Sequence, residues 1–231
     1  MDKGKISYLI DKLHEWGATK YGFSYVGDLL PDNLKHLKYA ISVVVRLSDQ
    51  IINDIKNGPT YTYFSHYRSV NFLIDQITLR TVLLLQDWGF LSMAVPASQT
   101  VKGENIDEYS GLFQHKTAAT RSGLGWIGKN GLLITPEYGP RIRLGTVLTE
   151  MKLPVGIPIE EGRCGECKAC VVSCPALALH GTNWKKGLLR KEILDARACS
   201  EYMNEHFKHI GRGSVCGICI NVCPVGDKIL R

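Results

Sequence analysis

The sequence predicts a mixed α/β (α+β) protein in two parts. An α/β domain covers residues 1–155 and a cysteine-rich, ferredoxin-like module covers residues 156–231. Three observations predict it. Segments with helical apolar spacing alternate with short β-branched runs through the first part. Pro154, Pro158 and Gly162 then break the pattern as a linker. Beyond them, all eight cysteines of the chain fall between positions 164 and 223.

Taken in order, Ile6, Leu9, Ile10, Leu13 and Trp16 recur at helical spacing, and Gly17 ends that helix. Residues 21–26 read as a short strand. A helix is expected to open at Pro31, whose fixed φ suits a first helical position. Residues 40–47 are a β-branched apolar run and the best strand in the chain. A long helix follows over 64–88, with Val70, Leu73, Ile74, Ile77, Leu84, Leu85 and Trp88 on one face and Gly89 as its stop. Residues 90–96 and 132–135 read as strands, and 191–207 as a helix.

A chain of 231 residues that is 45% hydrophobic can bury a core of its own. No apolar run approaches the roughly 18 residues that a membrane helix needs, and no membrane partner is expected. The opening Met1-Asp2-Lys3 is charged and its helix amphipathic, unlike a signal peptide, which leads to a cytoplasmic expectation. The net charge of +6 is moderate and its basic residues are scattered. The densest group, Lys185, Lys186, Arg190 and Lys191, is either a solvated face or a docking face for an acidic donor of the ferredoxin or flavodoxin type. A nucleic-acid surface would want denser basic charge interleaved with aromatics.

Cys164, Cys167, Cys170 and Cys174, followed by Pro175, have the spacing C-x2-C-x2-C-x3-C-P. That run holds iron–sulfur cubanes in bacterial-type ferredoxins, with its last cysteine ligating the other cluster. Cys216, Cys219 and Cys223, followed by Pro224, repeat it, but Gly213 stands where a further cysteine would complete the symmetry. The one cysteine left over is Cys199. Two 4Fe–4S clusters need eight thiolates, so Cys164, Cys167, Cys170 and Cys223 are assigned to one. Cys174, Cys199, Cys216 and Cys219 are assigned to the other. A triple run ending in Cys-Pro, twice over, is poor spacing for zinc. Reduced, metal-ligating thiols fit a cytoplasmic chain better than disulfides do.

Gly123, Gly125 and Gly128 form G-x-G-x-x-G, but the motif follows a short helix and runs into a strand. The dinucleotide fingerprint needs the reverse order, so a nicotinamide reading is rejected. Two readings stay open: backbone brought close to a large ligand, or a tight helix-to-strand connection. The stretch from Ser122 through Asn130, continued by Leu133-Ile134-Thr135-Pro136-Glu137-Tyr138-Gly139-Pro140-Arg141-Ile142-Arg143 and on to Thr149, resembles a signature shared by epoxyqueuosine reductases and corrinoid-dependent reductive dehalogenases. The cysteine runs resemble the same group, including the isolated cysteine between them. The likeness is close over residues 90–231 and loose before that.

The resemblance implies a nitroreductase-like domain that binds cobalamin base-off, fused to the two-cluster module. It offers Tyr109, Gly125, Trp126, Lys129, Asn130, Ile134 and Arg143 as cobalamin-binding residues. The implied activity passes electrons through both clusters to the corrinoid for reduction of a small or nucleoside substrate. Tyr109, followed by Ser110, falls where epoxyqueuosine reductases carry a catalytic aspartate, and reductive dehalogenases use a tyrosine as proton donor. A phenol titrates near 10 and needs a nearby cation to act as an acid at neutral pH; Lys116 or Arg121 could supply it. Tyr109 otherwise reads as a surface tyrosine of a polar loop, with Asp107 and Glu108 as alternative acids. His115 reads as a cap or packing residue rather than a ligand. Tyr61, Tyr63, Phe64, Tyr67 and Phe72 either face a macrocycle or pack the end of the long helix.

The chain stops soon after its last cysteine, without the helical-repeat domain that helps epoxyqueuosine reductases grip tRNA, so tRNA is a doubtful partner on this reading. Three alternatives follow: a non-enzymatic two-cluster carrier, a reductase of a separate corrinoid protein, or flavin in the same domain.

Overall fold

Asp2 opens the first helix, α1 (Lys3–Glu15), by accepting hydrogen bonds from the amides of Gly4 at 2.9 Å and Lys5 at 3.1 Å. Ile6, Leu9 and Leu13 are its buried stripe, as their spacing predicts. β1 (Lys20–Tyr25) then pairs antiparallel with β2 (Tyr39–Arg46), Phe23 facing Ile41. The computed structural model describes residues 2–98, 109, 111–211 and 215–226.

The helix expected from Pro31 is a correction. Only a single 3₁₀ turn forms, Asp32–Leu34. The Val26 amide donates to the Lys38 carbonyl at 2.8 Å. That bond closes the β1–β2 connection, within which Leu30 and Leu37 are spent on the core.

α2 (Asp49–Asn53) and the long α3 (Tyr61–Asp87) follow, then β3 (Ser92–Val95) and α4 (His115–Arg121). The glycine-rich segment leads into β4 (Trp126–Ile127) and β5 (Leu133–Ile134), a two-stranded antiparallel pair, and then β6 (Ile142–Thr149). The main sheet has the order β1-β2-β6-β3, with β3 antiparallel to β6. Periodicity alone does not single out β6, because Arg143 and Gly145 interrupt its apolar residues. Gly145 is required there: a Cβ would overlap the Ile74 side chain of α3. Among the described residues, the α-helices of the cysteine region are α5 (Ala169–Val172), α6 (Ala196–His206) and α7 (Ile218–Asn221). The helix expected over 191–207 begins later, because Asp195 caps it by accepting from the Ala198 amide at 2.9 Å and a separate 3₁₀ turn, Arg190–Glu192, precedes it.

The chain forms two compact units, each discontinuous in sequence. The first gathers residues 1–45, 70–124 and 143–159. The second gathers 46–69, 125–142 and 160–231. A single cut at residue 155 does not reproduce them, because the glycine-rich segment from Gly125 onward packs with the cysteine region. In the first unit, Val26, Leu30, Leu37, Ala40, Val95, Phe113, Ala118 and Leu148 form a buried cluster against which Leu34 and Met93 pack. In the second, buried Arg141 donates to Asn53 Oδ1 at 2.7 Å and lies 3.6 Å from Asp49, tying α2 to the turn before β6. Among the described residues, no helix is long and apolar enough to cross a membrane.

Candidate functional site

The eight cysteines are all free thiols of the second unit. Tight turns present them: the Cys167 amide donates to the Cys164 carbonyl at 3.1 Å, and the Cys174 amide to Val171 at 3.3 Å. α5 carries Cys170, α6 carries Cys199 and α7 carries Cys219.

Their electrostatics show which thiols are neighbours. Burial raises the Cys223 thiol to about 11, and the thiols that add to the effect are Cys164, Cys170 and Cys167. Burial raises Cys199 to about 11 as well, with Cys216 and Cys174 adding to it. Cys170 is raised by burial and then by Cys164 and Cys167. Cys219 is pushed up by burial most of all, then by Cys216 and Cys199, with smaller effects from Cys170 and Cys174. Each run's last cysteine therefore lies among the other run's thiols. Among the described residues, no three His, Cys, Asp or Glu side chains close up around a point where one metal ion would sit. The corners of a cubane hold their ligand sulfurs farther apart than a single ion does.

The turn between β4 and β5 reaches into this region. Its sharp entry requires Gly125, where a Cβ would overlap the backbone carbonyl of Ile134. Lys129 and Asn130 are each 4% exposed. The Lys129 ammonium donates to the Gly165 carbonyl at 2.6 Å, between Cys164 and Cys167 in sequence. Asn130 Nδ2 donates to the Cys219 carbonyl at 3.3 Å, and its Oδ1 accepts from the Leu132 amide at 3.1 Å. Ile134 is enclosed. Trp126 is buried under Arg163, whose guanidinium lies 5.7 Å from the ring centroid, and its indole N–H has no acceptor among the described residues.

These positions test the fit of a corrinoid. Of the residues offered for it, Trp126 has a buried donor to spare. Lys129 and Asn130 spend their polar ends on the cysteine loops, and the close approach at Gly125 is filled by the chain's own backbone.

Arg143, His115, Tyr109 and Arg121 lie in the first unit. Arg143 donates from Nε to Asn71 Oδ1 at 2.9 Å. His115 is a latch, in keeping with a cap or packing role: Nε2 meets the Pro96 carbonyl at 3.0 Å and Nδ1 meets Thr146 Oγ1 at 2.8 Å. A carbonyl only accepts, so Nε2 carries the proton and Nδ1 is free to accept from the threonine hydroxyl. Burial holds the imidazole below its ordinary range, which suits this neutral form. Tyr109 has φ of 62°, a left-handed conformation unusual for an aromatic residue, and is 43% exposed. Its neighbours Asp107, Glu108 and Ser110 lie outside the described residues. Arg121, one suggested activating cation, makes a bidentate pair with Asp28, at 2.5 and 2.7 Å. In the aromatic set Tyr63 is buried, while Tyr61 and Phe72 are exposed.

Residues 163–226 match the family described as a 4Fe-4S double cluster binding domain. The chain is 34% identical over 133 residues to an epoxyqueuosine reductase of Atelocyanobacterium thalassa (isolate ALOHA), covering 53% of this chain and 40% of that protein. It is 33% identical over 126 residues to the tetrachloroethene reductive dehalogenase of Sulfurospirillum multivorans, covering 52% and 25%. The chain thus spans less than half the length of these relatives. The fold matches a catabolic reductive dehalogenase solved with 3-bromo-4-hydroxybenzoic acid, with a TM-score of 0.70 at 18% identity over 94% of this chain and 31% of that one. It also matches an epoxyqueuosine reductase solved with an epoxyqueuosine-modified tRNA stem loop, with a TM-score of 0.60 at 19% identity over 96% and 65%. The chain thus carries a segment that matches a 4Fe-4S double cluster binding domain and is similar in sequence to both the epoxyqueuosine reductases and the reductive dehalogenases.

Proposed function

We propose that this chain is an iron–sulfur oxidoreductase of the epoxyqueuosine reductase type. It would carry electrons through two 4Fe–4S clusters to a corrinoid in a nitroreductase-like domain and reduce a small or nucleoside substrate. The observation that carries this reading is the interleaving of the cysteines, in which Cys223 answers to Cys164, Cys167 and Cys170, and Cys199 to Cys174 and Cys216. One cluster would rest on Cys164, Cys167, Cys170 and Cys223, the other on Cys174, Cys199, Cys216 and Cys219.

The unpartnered Trp126 N–H is the donor best suited to an amide carbonyl of a corrinoid, which when bound would supply the cobalt-centred reduction. Tyr109 would hold the proton delivered to the substrate, and its left-handed backbone is the kind of local cost that functional positions retain. The electron donor would be a small acidic ferredoxin or flavodoxin in the cytoplasm. Lys186 of the basic group is already paired with Glu160 at 2.5 Å, so a donor would meet a partly neutralised face. A nucleoside within tRNA remains among the substrates to be assayed, since one structural neighbour holds such a stem loop.

A second reading has its own support. Lys129 and Asn130 face the cysteine loops, which is what a two-cluster carrier, or a reductase of a separate corrinoid protein, would also show.

Anaerobic purification with iron, sulfide and cobalt analysis, followed by added cobalamin, separates the readings. Stoichiometric uptake with a base-off cobalt resonance supports the reductase. Clusters with no retained organic cofactor support the carrier, and a yellow chromophore released on denaturation supports flavin. With an epoxyqueuosine-bearing tRNA stem loop or the free nucleoside as substrate, Tyr109→Phe should leave the spectra intact and abolish turnover. Unchanged turnover removes Tyr109 from the mechanism.

A further inference from the structure

Lys129 is a buried cation that no step above uses. Its ammonium has a carbonyl, Gly165, at 2.6 Å, and among the described residues no carboxylate pairs with it. Removing an ammonium from water is costly unless an anion compensates it. A carbonyl dipole supplies only part of that. The anion this location offers is chemical rather than peptidic: a 4Fe–4S cubane with four thiolates is net negative in both of its usual oxidation states. Gly165 lies in the loop between Cys164 and Cys167, so the charge sits against one cysteine set. The adjacent Asn130 reaches the other, through the Cys219 carbonyl.

We propose that Lys129 is the buried counter-charge of the cluster on Cys164, Cys167, Cys170 and Cys223, tuning its reduction potential, while Asn130 positions the loop of the second cluster. The proposal rests on the two-cluster reading and is independent of the corrinoid. Reduction adds one electron to an already anionic cluster. A fixed cation nearby, in a site poor in water, stabilises the reduced form more than the oxidised one and raises the potential. It gives the two clusters different potentials and so a direction for electron flow. Lys129 acts on the cluster through space and through its loop, which makes it a positioning residue.

The test is a resonance-monitored redox titration of the anaerobically purified full chain, with no corrinoid added. Potentials are assigned with Cys216→Ser, which should leave only the cluster in question. Lys129→Gln keeps a donor for the Gly165 carbonyl but removes the charge. It should lower the potential of that cluster alone, and Lys129→Arg should bring it back. Asn183→Ala removes the other donor to the same carbonyl, at 3.3 Å, and should move neither potential. Unmoved potentials in Lys129→Gln, equal shifts of both clusters, or a shift in Asn183→Ala as large as that in Lys129→Gln overturn the proposal. Should Lys129→Gln not fold, Lys129→Arg decides: the parent potential supports the counter-charge, and lost iron or a shifted potential refutes it. Failure of the two-cluster reading is distinguishable, because it shows as missing iron and sulfide in the unsubstituted chain.

Discussion

Serine replacement of the cysteines, singly and in pairs, distinguishes interleaved clusters from clusters built run by run. The thiols near Cys223 belong to the first run, and those near Cys199 are Cys216 and Cys174. A double-cluster segment holds two four-iron groups, so each set of four thiols answers for half the iron. Cys223→Ser alone should therefore remove about half of the iron and inorganic sulfide per chain, as should Cys164→Ser alone. The pair Cys164→Ser with Cys223→Ser strikes one set twice and should again leave about half. The pair Cys216→Ser with Cys223→Ser strikes both sets and should leave almost none, although both residues belong to the same run. Such non-additivity within a set, and additivity between sets, is the logic of a double-mutant cycle. Iron and sulfide assays on anaerobically purified protein, with the resonance of the reduced clusters, read the outcome. The reasoning is refuted if the Cys164–Cys223 pair empties the protein while the Cys216–Cys223 pair keeps half, or if every single variant loses all its iron.

Two further outcomes follow from titrating groups. Burial holds the free Cys199 and Cys223 thiols up to about 11, so the metal-free protein keeps them protonated at neutral pH. Iron binds the thiolate, so cluster assembly should release protons and speed up as pH rises from about 7 to 9, which proton release in weakly buffered anaerobic solution measures; a pH-independent rate refutes this. His115 is held below its ordinary pKa by burial, and its stabilisation is complete above the unfolded value of about 6.5 and lost as pH falls through the depressed folded value. Thermal stability should therefore fall on acidification. His115→Gln should flatten that slope without abolishing it, since burial also lowers His66, whose Nε2 accepts from the Ser48 amide at 3.0 Å. An unchanged slope in the variant removes His115 from the account.

Much of the molecule was legible in its residues because the signals are local. The stripe of Ile6, Leu9 and Leu13, the β-branched run that became β2 and the long apolar face of α3 each depend on a few neighbouring positions. Cysteine spacing is local in the same way, since three thiolates on one turn are within reach of one cubane whatever the rest of the chain does. The same reasoning failed at Pro31, where a favourable first helical residue met a connection that had to close at Lys38. It passed over β6 because a strand beneath a long helix uses Gly145 for clearance, which in sequence reads as an interruption.

The destination of the glycine-rich turn was beyond local signals altogether. Gly123, Gly125 and Gly128 announce a close approach but not to what, and both a bound ligand and a tight connection produce that pattern. The folded chain supplies the answer: the carbonyl of Ile134 in the neighbouring strand fills the space at Gly125, and Lys129 and Asn130 end on the distant carbonyls of Gly165 and Cys219. The amino-acid sequence by itself determined that eight thiols would gather in the cysteine-rich region, because ligand spacing is written along the backbone. Only the tertiary structure decided where the glycine-rich turn ends and which buried charge lies beside the cysteine loops, because those contacts join segments that meet only in the folded chain.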